Sequence, residues 1–355
     1  MRELFFEKGL GVIGEGSMSV MRKDPTTEEW VVLATERARR PHELAHDQHK
    51  AEPPAFVPSC PFCPGNEAKT PPETLVYHNH KDGSWQVRGF ANRYPALTEE
   101  GMTNTKLEEG FFMEMNGLGI HEVIVESPEH NKPLALMKDS GVKNVLLAYQ
   151  ERYNILRGKP FVKHITIFEN HGASAGTSLE HPHSQLIATP VVPREVRLRQ
   201  KIAARYHDDT GRNLYSDLLD HELRLNKRIV MKSGGFVVFH PFASHEPFET
   251  WIMPKRPQAC FGNAPAADLE EFAHVLRMSL AKLYHALNDP DYNLVIDTVL
   301  PGGENEDCYL WHLRIIPRLA EVAGFEIGSG ININTTLPEE TAQFMREFHG
   351  EEGEE

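Results

Sequence analysis

Residues 162–188 read V-K-H-I-T-I-F-E-N-H-G-A-S-A-G-T-S-L-E-H-P-H-S-Q-L-I-A. The segment Val162 to Phe168 is rich in β-branched and aromatic residues and reads as a strand. Gly172 and Gly176 punctuate a run of small residues, and His181-Pro182-His183-Ser184-Gln185 then leads into an apolar tail. Strand side chains alternate between faces, so His181 and His183 point to the same side. Pro182 removes a ladder donor and stiffens the strand edge. Two ligands, two bases, or one of each would all satisfy that placement.

Working outward, strands are expected at Glu29–Thr35, Thr74–His78, Ser84–Ala91 and His121–Ser127. A helix follows from about Gly141 to Arg157, with Val142, Val145, Leu146, Tyr149, Tyr153 and Leu156 on one face. The second half runs through similar elements: strands Gly235–Phe239 and Thr250–Pro254, and a helix from about Ala267 to Leu287. Strands Tyr292–Thr298 and Tyr309–Pro317 follow it. Laid against each other, H-E-V-I-V-E-S-P-E-H at 121–130 matches P-F-E-T-W-I-M-P-K-R at 247–256. K-H-I-T-I-F matches N-L-V-I-D-T, and Glu180-His181-Pro182-His183 falls against Trp311-His312-Leu313-Arg314. The expectation is a duplicated α+β unit with antiparallel sheets flanked by helices, 1–190 being the first unit and 191–355 the second.

Composition narrows the function. The chain has 355 residues and a net charge of −14, which repels nucleic-acid backbones and argues against a nucleic-acid partner. A local arginine cluster such as Arg37-Ala38-Arg39-Arg40 can still bind a small anion. There is no apolar run near 18 residues, so no membrane partner is expected. The N-terminal M-R-E-L-F-F-E-K-G-L lacks a signal peptide's apolar core, which points to a cytoplasmic protein.

Four cysteines in such a chain are not a disulfide scaffold. Cys60 and Cys63 form C-P-F-C, and Pro61 and Pro64-Gly65-Asn66 surround the pair with turn formers. A metal knuckle fits this better than a redox pair, which usually opens a helix. His130 and His181 are candidates to complete a tetrahedral Cys2His2 site. Spacing alone does not select those two from 19 histidines. The small-residue loop before the strand can cradle a phosphate through its backbone N–H groups. A histidine aimed into it can be a nucleophile on phosphorus.

The combination G-x(4)-S-x-x-H-P-H-S-Q, C-P-F-C-P-G-N-E, S-P-E-H and P-F-E-T-W-I-M-P-K resembles the galactose-1-phosphate uridylyltransferase family. That family is the nucleotidyltransferase branch of the histidine-triad superfamily, so the two units are expected to be histidine-triad-like. The resemblance, from about Lys23 to Glu340, implies that Cys60, Cys63, His130 and His181 bind one structural zinc. It implies that His183 is the nucleophile and that Gln185 hydrogen-bonds the α-phosphate. Arg37 and Arg40 match an arginine pair that contacts phosphates, and a planar permanent cation suits that role. Asn92, Asn170, Gly176 and Ser178 match positions near the nucleotide, and Asn334 lies near a residue that touches the sugar phosphate. A homodimer acting on a nucleotide-sugar and a hexose 1-phosphate is implied as well.

The implied activity is transfer of UMP between UDP-glucose and galactose 1-phosphate through a UMP-His183 intermediate, a step of galactose metabolism. Two departures qualify it. The H-x-H of a second metal site reads His312-Leu313-Arg314, and residues 190–235 hold no second C-x-x-C, so a second metal is not expected. The loop T-S-L-E before H-P-H is closer to a divergent branch that includes a plant ADP-glucose phosphorylase. An adenylyltransferase acting on ADP-sugars is therefore the alternative, and a catalytically silent, zinc-stabilised nucleotide binder the second.

Overall fold

The structure is a computed structural model that describes residues 19–34, 53–304 and 306–348. In the first half, β1 (Val20–Lys23) and β2 (Trp30–Leu33) precede β3 (Glu73–His78), β4 (Trp85–Ala91), β5 (Lys106–Glu108), β6 (Phe112–Glu114) and β7 (Ile120–Val125). Helix α1 (Asp139–Arg157), β8 (His164–His171) and β9 (His183–Thr189) follow. Helices α2 (Arg194–Thr210) and α3 (Leu214–Leu225) lead into β10 (Ile229–Lys232), β11 (Phe236–Phe239) and β12 (Thr250–Pro254). Then come α4 (Ala266–Ala286), β13 (Tyr292–Asp297), β14 (His312–Pro317), α5 (Gly324–Ser329), β15 (Asn332–Asn334) and α6 (Pro338–Glu347).

Ten strands form one sheet in the order β10-β11-β12-β14-β13-β8-β9-β7-β4-β3, every neighbour antiparallel. The order is a palindrome. Reading out from the centre, β8-β9-β7-β4-β3 answers β13-β14-β12-β11-β10, with α1 and α4 at the same place in each half of the chain. Phe168 and Val295 face each other at the centre. Gln185 pairs with Phe168 as Arg314 pairs with Val295. The α+β architecture with duplicated antiparallel units is therefore as the sequence reading expected.

One alignment slips. Matching K-H-I-T-I-F to N-L-V-I-D-T sets His164 against Leu294. Strand alternation and the observed register put those two on opposite faces.

The two helices pack together on one face of the sheet. The α1 stripe of Val142, Val145, Leu146, Tyr149, Tyr153 and Leu156 and the α4 stripe of Leu269, Phe272, Leu276, Leu280 and Leu283 are buried. They share one core with the side chains of that sheet face, among them Ile124, Ile167, Leu186, Leu294, Ile296, Leu313 and Ile315. The opposite face differs between the halves. On β4 and β7 it carries a small cluster of Cys60, Cys63, Phe62, Trp85, Phe90, Val123 and Val125. Over β12 and β14 lies α3, whose Tyr215 packs on His312 at 5.3 Å. Asn213 starts that helix by accepting from the Tyr215 and Ser216 amides, both at 3.0 Å.

A second sheet joins β1, β2 and β15, the last parallel to β2. Among the described residues no helix is long and apolar enough to cross a membrane.

Where the core admits charge, it is paired. Arg152 of α1 forks onto Glu122 of β7, with Nε to Oε2 at 2.8 Å and Nη2 to Oε1 at 2.6 Å, both side chains buried. Arg152→Met strands the carboxylate and is expected to cost about 3–5 kcal/mol in urea unfolding, with most of it regained in Glu122→Gln/Arg152→Met. A double variant no more stable than the single one would contradict this account.

Candidate active site and metal centre

The knuckle loop before β3 holds its first two ligands by backbone geometry. The Phe62 amide donates to Cys60 Sγ at 3.4 Å and the Val57 amide to Cys63 Sγ at 3.3 Å. His130 follows β7, and His181 stands two residues before β9. Cys63 Sγ lies 3.5 Å from His130 Nδ1 and 3.7 Å from His181 Nδ1, and Cys60 Sγ lies 3.7 Å from His181 Nδ1. All four residues are buried and their ligand atoms lie within 4.8 Å of one another. Donors at zinc-like bond lengths on a tetrahedron stand about 3.3–3.8 Å apart, so these atoms fit a four-coordinate ion. His181 Nε2–H donates to the Ser127 carbonyl at 2.8 Å, which fixes the tautomer and turns Nδ1 toward the thiols. Burial lowers the His181 pKa to about 4, so its ring is neutral, as a ligand must be.

Two residues on, His183 meets a different environment. Its Nδ1–H donates to the His181 carbonyl at 2.9 Å, which leaves the lone pair on Nε2. Phe62 packs edge-on against the ring at 5.2 Å. Burial pulls the His183 pKa below the ordinary histidine value. A buried, neutral, oriented imidazole with a free nitrogen is equipped to attack phosphorus.

Gln185 stands next on the same face. Its Oε1 accepts from His121 Nε2–H at 2.8 Å. Asn92 lies beside them, its Nδ2 at 3.1 Å from His121 Nε2 and its Oδ1 taken by the Tyr94 amide at 2.9 Å. Asn170 continues the β8 register just past Glu169, opposite His183, and accepts from Asn293 Nδ2 at 2.8 Å.

The small-residue loop takes a defined shape. Gly172 and Gly176 have φ of 84° and 92°, left-handed values that favour glycine. A Cβ on Gly172 would stand 1.9 Å from Asp291 Oδ1. Asp291 Oδ2 accepts from the Ser174 amide at 2.7 Å and from its hydroxyl at 2.6 Å. The Gly176 and Thr177 amides are spent on Ala173 and Gly172 carbonyls. The loop is therefore not an open nest along its whole length, as the sequence reading expected. Three of its amides are already bonded, and the exposed Ser178 ends it.

Other expectations separate. Arg37 and Arg40 lie outside the described residues. Asn334 is buried, donating to the Ser244 carbonyl at 3.0 Å and accepting from the Thr336 amide and hydroxyl at 2.9 Å each. Its side chain ties its own turn at Thr336 to the segment that carries Ser244.

His312 repeats the hydrogen bond of His183, with Nδ1 to the carbonyl two residues back at 3.1 Å. It is thus the counterpart of His183, and the sequence alignment with His181 is corrected. It is sealed between Trp251, stacked at 4.7 Å, and Tyr215. Arg314 and Arg199 grip Asp297 beside it, at 2.5 and 3.1 Å. Burial alone would raise the Asp297 carboxyl, but these guanidiniums hold it far below the usual range. Sequence reasoning missed Arg199, Asp291 and His121, because each is recognisable only by a partner distant in the chain.

Behind β9, the Ser184 hydroxyl and the Tyr149 hydroxyl both donate to Glu126 Oε1. Burial pushes the Glu126 carboxyl up to about 7. An unfolded glutamate titrates near 4.3, so the folded state keeps a proton the unfolded chain has lost. Stability is then full below about pH 4 and declines as pH rises toward 7. Glu126→Gln, which mimics the protonated acid, is expected to flatten that decline by about 1–3 kcal/mol. Denaturant midpoints between pH 4 and 8 that fall equally in both proteins would refute this.

Residues 15–193 match the family described as galactose-1-phosphate uridyl transferase, N-terminal domain. The chain is 36% identical over 336 residues to the ADP-glucose phosphorylase of Arabidopsis thaliana, covering 94% of each. It is 27% identical over 339 residues to the galactose-1-phosphate uridylyltransferase of Thermotoga maritima, covering 93% of this chain and 98% of that one. The crystal structure of an ADP-glucose phosphorylase from Arabidopsis thaliana with bound ADP-glucose superposes with a TM-score of 0.78 at 33% identity, over 94% of this chain and 100% of that one. With this sheet, this histidine strand and these matches, the chain belongs to the galactose-1-phosphate uridylyltransferase family of nucleotidyltransferases.

Proposed function

We propose that the protein transfers an adenylyl group from an ADP-sugar to inorganic phosphate through a covalent bond to His183. The observation that carries transfer through His183 is the Nδ1–H bond to the His181 carbonyl, which leaves Nε2 as a neutral nucleophile. In the first step Nε2 attacks the α-phosphorus. A P–N bond forms, the bond to the sugar 1-phosphate oxygen breaks, and the sugar 1-phosphate leaves with the electron pair. In the second step a phosphate oxygen attacks the same phosphorus, the P–N bond breaks, and ADP departs while the imidazole is regenerated. Gln185 supplies an amide donor to the phosphoryl oxygens and, unlike a third histidine, offers no base to activate water. Arg37, Arg40, Asn92, Asn170, Gly176 and Ser178 are read as the remaining contacts to the nucleotide.

The adenine preference rests on likeness to the Arabidopsis enzyme over nearly the whole chain. A second reading, UMP transfer between UDP-glucose and galactose 1-phosphate, is favoured by the family description and the Thermotoga relative. The metal at Cys60, Cys63, His130 and His181 is read as one structural zinc. When bound it would tie the knuckle to β7 and to the residues that lead into the nucleophile strand. Residues 1–190 and 191–355 are read as two repeats, supported by the palindromic strand order, and the homodimer rests on family likeness alone.

The test is to mix the protein separately with α-³²P ADP-glucose and α-³²P UDP-glucose without acceptor. Acid-labile, base-stable label is expected on the protein from ADP-glucose and is expected to vanish in His183→Gly. Label from UDP-glucose alone would establish the second reading, and label from neither would end both. Cys60→Ser is expected to lose most of about one zinc per chain by metal analysis. Unchanged zinc would remove Cys60 from the ligand set.

A further inference from the structure

Nothing in the proposed chemistry assigns a task to His121, yet it touches the residue on which the phosphoryl contact depends. It lies on β7 with its side chain buried, two residues from Val123, which pairs with Gln185 across the ladder. Its two ring nitrogens have different neighbours. Nδ1 accepts the backbone N–H of Ala96 at 3.1 Å. A backbone amide can only donate, so Nδ1 carries no proton and the ring proton sits on Nε2. Nε2 has Gln185 Oε1 at 2.8 Å and Asn92 Nδ2 at 3.1 Å. The Asn92 amide is itself fixed, because its Oδ1 accepts from the Tyr94 amide. Only the Gln185 oxygen can therefore take the Nε2 proton.

The chain of direction runs from a backbone donor that cannot turn, through one ring, to a side-chain amide that otherwise could. An unrestrained amide has two orientations related by a half turn, one presenting N–H and the other presenting oxygen. Oxygen facing a phosphoryl group would repel the charge that gathers there, whereas N–H stabilises it.

We propose that His121 is a positioning residue which, by donating Nε2–H to Gln185 Oε1, turns the Gln185 N–H group toward the reacting phosphoryl. This rests on the nucleotidyl-transfer reading above. Asn92 presents only its Nδ2 donor on that side and so leaves the Nε2 proton to Gln185.

Three substitutions separate this from mere packing. His121→Gln keeps a donor near the Nε2 position and is expected to hold kcat within about tenfold of the parent. His121→Glu has the same length but offers only an acceptor there, so it inverts the Gln185 amide. It is expected to lower kcat by about 100-fold with KM for the nucleotide sugar changed by no more than about threefold. His121→Phe, with neither, should fall with Glu rather than with Gln. Equal losses in all three, or an effect confined to KM, would overturn the proposal.

Histidine-selective ¹⁵N NMR of the full chain reads the same bond without turnover. The resonance lost in His121→Phe should show a protonated Nε2 and shift in Gln185→Leu. A protonated Nδ1 would overturn the proposal even in an enzyme that takes up label. The expected tautomer in a protein that takes no label would instead sink the transfer reading, and the phosphoryl-facing role with it.

Discussion

The pairing of β8 with β13 makes two similar units into one object. On the side of α1 and α4 the two strands present Ile165, Ile167, Leu294 and Ile296, and on the other face Phe168 and Val295 meet at the centre. Joining them edge to edge satisfies the backbone groups each unit would leave open and lets the two helices share a single core. It also sets His183 and His312 symmetrically about Phe168 and Val295. What lies over that opposite face then decides what each half can do. The first half places a cysteine knuckle beside the histidine strand, and the second places the helices α2 and α3 over it.

Within the first half, two imidazoles two residues apart are made different by their hydrogen bonds. His181 gives its Nε2 proton to Ser127 and turns Nδ1 to sulfur. His183 gives its Nδ1 proton to the carbonyl of His181 and keeps Nε2 free. The carbonyl of His181 therefore sets the tautomer of His183. A shift of the knuckle would be felt at His183 through one bond of 2.9 Å. Ser184, between His183 and Gln185, faces the helices and is pinned by Glu126 and Tyr149, which fixes the strand from behind.

Much of this was legible in the residues. Alternation along His181-Pro182-His183 placed both rings on one side, and apolar stripes located α1 and α4 to within a residue or two. The knuckle ligands came from motif resemblance, and their convergence is visible only in three dimensions. Other features had no local signature. His121 is an unremarkable strand residue until Ala96 and Gln185 flank it. Asp291 is one acid among many until Ser174 and Gly172 lean on it. Asn334 has no local signature for its bonds to Ser244 and Thr336, because asparagine serves turns and ligands equally. The repeat is legible in the sequence but its register is not: with His312 as the counterpart of His183, Val295 answers Phe168 rather than Ile165. Leu294 and Ile296 face the helices with Ile165 and Ile167, whereas matching by sequence sets them against His164 and Thr166 on the other face.

The contact between Asp291 and Ser174 carries the farthest-reaching consequence. The acid belongs to the second half of the chain and the loop to the first. The first half alone would retain His183, Gln185 and the Cys60, Cys63, His130 and His181 cluster, yet the loop between β8 and β9 would lose its anchor. The second half thus shapes, through one carboxylate, the loop that leads to the histidine strand of the first.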